Sequence, residues 1–186
     1  MSAGSSTARS TVARLLRNLD GAAAAEMALV FPIFGFVSLN VMDLCVYMYS
    51  RMQTEQAAQA AVGVARAVCN SSAKLPATSP SGHCSATLQA QMQAAAQATS
   101  LGTRVTIGTP AEAYYCADDA DVLSKVADVG DTPPPDCSTI VPGSTVKPGD
   151  YIRVTASFTY VPFAPYITMA SILPANVQQE AWIRLQ

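Results

Sequence analysis

Histidine and charge are what this chain has least of. There is one histidine, His83, and it neighbours Cys84 in a segment of Pro, Gly and Ser. Adjacent side chains seldom converge, so the pair reads as an exposed loop and not as a nucleophile with its base. Only 13% of the residues are charged and the net charge is −2. That leaves no basic footprint for nucleic acid. Half the residues are hydrophobic, which excludes an acidic disordered chain. No Cys-x2-Cys pair offers a zinc cage. No glycine-rich loop is placed to cradle a phosphate. Asp118, Asp119, Asp121, Asp128 and Asp131 are crowded together, but their spacing lacks the ligand order of a calcium-binding loop, and a solvated acidic loop is the better reading. The expectation is a protein that is not an enzyme, with no catalytic residue, no metal and no cofactor.

What the chain does have is an apolar run. Between Ala22 and Met42 the only charge is Glu26, and the run continues to Tyr49 before Arg51. A helix rising ~1.5 Å per residue needs about 20 apolar residues to cross a bilayer. A cleaved secretory signal has a shorter core and ends at a small-residue site. Tyr47, Tyr49 and Arg51 suit a membrane interface. Arg9, Arg14 and Arg17 precede the run against the single acid Asp20, so the N-terminus is expected in the cytoplasm and the C-terminal part in the periplasm or outside.

Cysteine usage agrees with that placement. Cys45 lies in the apolar run and reads as a small apolar filler. Cys69, Cys84, Cys116 and Cys137 lie in the polar part, an even set suited to an oxidising compartment. Four cysteines allow three pairings. Cys69–Cys84 with Cys116–Cys137 is favoured, since each pair brackets a Pro-containing loop.

The start of the run carries the sharpest signal. A basic leader ends at Gly21, four alanines follow, and Glu26 then stands inside the helix. An acid near the membrane usually has a function. Cleavage after Gly21 would give Ala22 a free amine at i against Glu26 at i+4, on one helix face. In an assembly, the carboxylate would take a neighbour's amine instead. The leader, Gly21-x4-Glu26, the run Ala28-Leu29-Val30-Phe31-Pro32 and the stretch Gln56 to Arg66 together resemble the TadE-like minor pseudopilins of the tight-adherence (Flp, type IVb-like) pilus system. The segments Tyr151 to Ala156 and Phe158 to Pro162 resemble the family as well. One position departs from its pattern: Met27 follows Glu26 where an aromatic residue is usual. The resemblance implies cleavage between Gly21 and Ala22 by a prepilin peptidase. It also implies a role in pilus assembly or adhesion, with other pilin-like subunits and the assembly machinery as partners. The alternative is an uncleaved, single-pass periplasmic scaffold or binding protein.

Four parts are expected: a leader over 1–21, a membrane helix over 22–49, a helical stalk over 50–69 and a periplasmic domain over 70–186. The stalk is Ala-rich, with Met52, Ala58, Val62, Ala65 and Cys69 at helical spacings. A breaker zone follows from Asn70 to Ser85, and then a second helix from Ala86 to Ser100. Short strands are expected at Arg104–Gly108 and Ala113–Cys116, and a long loop from Asp118 to Thr139. Tyr151–Val161 alternates, with Ile152, Val154, Ala156, Phe158 and Tyr160 on one face. Asn176–Leu185 reads as a last strand, with Val177, Ala181, Ile183 and Leu185 inward and Trp182 on the other face. The fold class is α+β: a long N-terminal transmembrane and stalk helix, a second helix and a small antiparallel sheet, as in a pilin.

Overall fold

A run without a helix breaker strong enough to stop it produces the dominant element. The computed structural model describes residues 19–78, 84, 87–165 and 167–185, so the basic leader and His83 lie outside the described residues. Helix α1 spans Leu19–Val68, 50 residues with Pro32 inside it, or about 75 Å at the usual rise. Helix α2 is Leu88–Gln97. The strands are β1 (Val105–Ile107), β2 (Ala111–Ala117), β3 (Leu123–Asp128), β4 (Gly149–Thr159) and β5 (Asn176–Arg184). This is the α+β fold with one long apolar helix, a second helix and a small antiparallel sheet.

Strand β4 is the axis of the sheet. One edge pairs with β5 along its whole length, from Tyr151↔Arg184 to Thr159↔Asn176. Its other edge is shared. The first half pairs with β2 (Ala111↔Arg153) and the second half with β1 (Ile107↔Ala156). Strand β3 extends the sheet beyond β2, with a register shift between Tyr114 and Tyr115. The alternation of β4 and β5 is the one the sequence predicts. Ile152, Val154, Ala156, Phe158, Tyr160, Val177 and Ala181 are buried, while Trp182 lies on the other face against Tyr115 and Arg153.

The buried face of the sheet takes α1. Ser50, Thr54, Ala57, Ala58, Ala61, Val62, Ala65 and Cys69 recur at helical spacing and are buried. Alanine has no side chain beyond Cβ, so helix and sheet approach closely. Met52, expected on the packed stripe, is exposed, because two residues turn the helix by about 200° and place it on the side away from Thr54. Residues 50–69 therefore line the domain core along with Met92 and Ala96 of α2.

Two other expectations change. The second helix is shorter than Ala86–Ser100, starting after Thr87 and ending at Gln97. Asp118–Thr139 is not one loop, because β3 lies inside it. The short β1 edge is covered by a side chain: Gln93 Nε2 donates to the Val105 carbonyl at 2.9 Å and its Oε1 accepts from Ile107 N at 2.7 Å, standing in for a strand. Two disulfides brace the fold. Cys69–Cys84 joins the end of α1 to the segment before α2, with Cα atoms 5.2 Å apart, and Cys116–Cys137 ties the loop after β3 to β2, with Cα atoms 5.6 Å apart.

Candidate functional site

The first part of α1 belongs to no core. Met27, Leu29, Val30, Phe31, Ile33 and Phe34 are all largely exposed, and the helix is long and apolar enough to cross a membrane. A soluble domain does not present such a stripe without a partner. The helix thus has the character of a single-pass anchor. Glu26 is exposed on it. Gly21 and Ala22 lie within the helix backbone, so the candidate cleavage site and the acid share a helical segment. Cys45 is a free, exposed thiol near the far end of the span.

A second carboxylate, Asp43, marks where the domain takes hold of that helix. It is 1% exposed although it sits in an apolar stretch. The connection between β4 and β5 folds back over it. Phe163 N donates to Asp43 Oδ1 at 2.8 Å, and the Thr168 hydroxyl donates to Oδ2. The Tyr160 hydroxyl donates to the Asp43 carbonyl oxygen at 3.1 Å, and its ring meets Tyr47 edge to face at 5.2 Å. One turn earlier, Asn40 Oδ1 accepts from Met169 N at 2.8 Å. A buried carboxylate is tolerated only when its lone pairs are satisfied, and here the connecting loop satisfies them. Sequence reasoning missed Asp43 because the charge count of the apolar run stopped at Met42. The rule that drew attention to Glu26 applies equally to Asp43.

A pair of acids at the other end of the sheet was also missed. Glu112 on β2 accepts from Ala77 N at 2.7 Å, Thr78 N at 2.6 Å and the Thr78 hydroxyl at 2.7 Å. It thereby fastens the segment after the Ser72–Lys74 turn to the sheet. Asp150 on β4 lies beside it, buried, with Oδ1 left without a partner. Burial, then the Glu112 charge and a hydrogen bond to Glu112, push the Asp150 carboxyl up to about 7. The same burial and the two carboxylates raise the neighbouring Tyr114 phenol. A cleft of about 400 Å³ opens beside them, lined by Leu75, Tyr114, Lys147, Asp150 and Arg184. The pair brings no nucleophile or histidine together among the described residues, and its visible work is to hold the 75–78 segment.

The sign of the resulting pH dependence follows from linkage. Asp150 titrates near 3.9 when unfolded and about 7 when folded, so between those values the folded chain holds the extra proton. Its contribution to stability is full below about pH 4 and is lost as pH rises toward 7. Asp150→Asn keeps a donor toward Glu112 and cannot ionise. Melting curves of the detergent-solubilised chain from pH 4 to 8 are expected to show the variant gaining on the parent as pH rises. Parallel curves would contradict the assignment.

The acidic loop behaves as structure. Asp118 Oδ1 accepts from Ala120 N at 2.9 Å and Val122 N at 2.8 Å, closing the β2–β3 turn, and Lys125 pairs with Asp128. No curated protein and no solved structure matches the chain. The helix that carries Gly21, Glu26 and Asp43 is also where a relationship is found: residues 21–62 match the family model described as TadE-like protein.

Proposed function

We propose that this chain is a minor pseudopilin, acting without catalysis in assembly of a tight-adherence (Flp, type IVb-like) pilus. In this reading a prepilin peptidase cuts after Gly21. The mature helix anchors the chain in the bacterial inner membrane with its N-terminus at the cytoplasmic face, and the α+β domain lies in the periplasm. The observation that carries the reading is the Gly21-x4-Glu26 junction at the head of an exposed apolar helix, within the stretch that matches the TadE-like model.

Glu26 then has a physical task. An acid at the edge of the hydrocarbon costs less than the ~2.5–3.5 kcal/mol of a mid-membrane charge, and a neighbour's Ala22 amine offsets that cost. Glu26→Ala removes the insertion penalty together with the pairing. Membrane insertion is expected to be unchanged, while recovery of pilin-like subunits in co-purification or crosslinking falls. Equal recovery of those subunits from parent and variant would refute the pairing.

A further inference from the structure

The connection between β4 and β5 carries a feature that neither the anchor nor the sheet requires. Between Arg153 and Glu180 the sequence contains no charged residue. The described residues of 161–173 form an apolar connection, and most of its large side chains point away from the protein. Val161 and Ile167 are exposed, Phe163 is 75% exposed and Ile172 is 81% exposed. Hydrogen bonds to Asn40 and Asp43 hold this loop against α1 at the height where the apolar helix leaves the domain.

That height is meaningful. About 20 residues of helix span ~30 Å of hydrocarbon. Counted from Ala22, the span ends close to Met42, one residue before Asp43. The loop therefore sits beside the exit point of the helix, where Met169 and Ile172 share a cleft with Val41 and Leu44. We propose that residues 161–173 are a foot that enters the outer-leaflet boundary between headgroups and acyl chains, so that the domain is seated on the bilayer and does not merely hang from its anchor. The proposal rests on the anchor reading above.

The backbone hydrogen bonds that the loop does make suit lipid as the occupant. Irregular backbone at membrane depth requires its polar groups to be satisfied within the protein. Phe163 N and Met169 N donate to α1 side chains. Ile167 N and Thr168 N donate to the Ala164 carbonyl, and Leu173 N donates to that of Ala170. Pro162 and Pro165 have no N–H to satisfy. Between foot and helix runs a cleft of about 260 Å³, lined by Val41, Leu44, Met169, Ala170, Ile172 and Leu173 with Asn40 at its edge. Its lining suits an acyl chain. Protein-docking patches are commonly rimmed by polar and charged side chains, whereas the described residues of 159–176 carry no charge and only Thr159, Ser171 and Asn176 as exposed polar side chains. Insertion by ~5–10 Å is the usual depth for an interfacial apolar face.

The chain has one tryptophan, Trp182, on the far face of the sheet from the core. In a Trp182→Phe background, single reporters are placed by Phe163→Trp and Ile172→Trp in the foot. Phe34→Trp reports on the anchor, and Val146→Trp on an exposed loop near the opposite end of β4. The full chain is reconstituted in phosphatidylethanolamine–phosphatidylglycerol vesicles carrying bromine near the tops of the acyl chains, where the foot would lie, or in a parallel set near their methyl ends, where Phe34 would lie. Both foot reporters are expected to lose most of their emission and to resist aqueous iodide, Phe34→Trp to be quenched by bromine, and Val146→Trp to respond to iodide alone. A quenched Phe34→Trp with unquenched foot reporters overturns the foot and leaves the anchor standing, and would return the loop to the role of a protein-docking surface. An unquenched Phe34→Trp overturns the anchor reading, and the foot with it.

Discussion

Asp43→Ala is expected to release the 161–173 loop from the helix while leaving the sheet intact. The substitution removes the acceptor of Phe163 N and one of the two acceptors of the Thr168 hydroxyl, the other being the Ala164 carbonyl at 3.0 Å. A donor stranded in a buried site costs about 1–3 kcal/mol. Phe163 N is stranded and the loop loses both of its ties to the carboxylate, which leaves the Met169–Asn40 and Tyr160 hydrogen bonds to hold it to α1. Limited proteolysis of the detergent-solubilised chain should cut the variant within 161–173 and spare the parent. Thermal unfolding should shift down by the equivalent of about 1–3 kcal/mol. Asp43→Asn, which retains one acceptor oxygen, should lie between the two. Identical cleavage patterns and melting curves for Asp43→Ala and the parent would mean that the clamp does not hold the loop.

The second large effect is expected at the disulfides. Cys69 and Cys84 are 15 positions apart, and Cys116 and Cys137 are 21 apart. Closing a loop of that size stabilises a fold by about 3 kcal/mol in the chain-entropy account. A domain whose whole stability is of order 5–15 kcal/mol feels such a loss strongly. The Cys69→Ala/Cys84→Ala double variant removes one tie on the segment between α1 and α2 and leaves the Glu112 clamp on Ala77 and Thr78 and the Lys74 hydrogen bond to the Val68 carbonyl. It should melt well below the parent, and the Glu112→Ala change on top of it should cost more than it does alone. Non-reducing peptide maps of the parent should contain the Cys69–Cys84 and Cys116–Cys137 peptides. A double variant that melts with the parent, or four alkylatable thiols in the native protein, would contradict both the bracing role and an oxidising compartment.

The long helix and the two long strands were legible because each repeats one physical period without interruption. Helix α1 has no breaker stronger than Pro32 over 50 residues. Strand β4 alternates without a fault from Ile152 to Tyr160 because one of its faces is covered by α1. Strand β3 was not legible. It is an edge strand, partly buried on both faces, so Leu123 to Asp128 show no inward and outward alternation. The ends of α2 were overrun because Ala, Ser and Thr lie on both sides of it, and Thr87, a residue type that suits a cap, makes no side-chain capping hydrogen bond there.

The candidate site divided in the same way. Glu26 stood out because nothing else in its surroundings is charged. Asp43, Glu112 and Asp150 did not, because their significance lies in partners more than 30 residues away in sequence: Phe163 and Thr168 for Asp43, Ala77 and Thr78 for Glu112. Long-range pairing of a polar side chain with backbone N–H groups leaves no periodic trace. The foot is the intermediate case. Its apolar content from Val161 to Leu173 is plain in the sequence, but only the fold brings it beside residues 40–44 of the helix.

The proposed role turns on whether the helix is presented to its neighbours with a free amine at Ala22. The most direct measurement is N-terminal sequencing of the chain extracted from membranes of its native host, with Gly21→Arg run in parallel. The account predicts Ala22 as the first residue of the parent and a longer, uncut precursor for the variant. Met1 or Ser2 at the N-terminus of the parent, with parent and variant migrating alike, would contradict the pseudopilin reading and leave an uncleaved, membrane-anchored scaffold in its place.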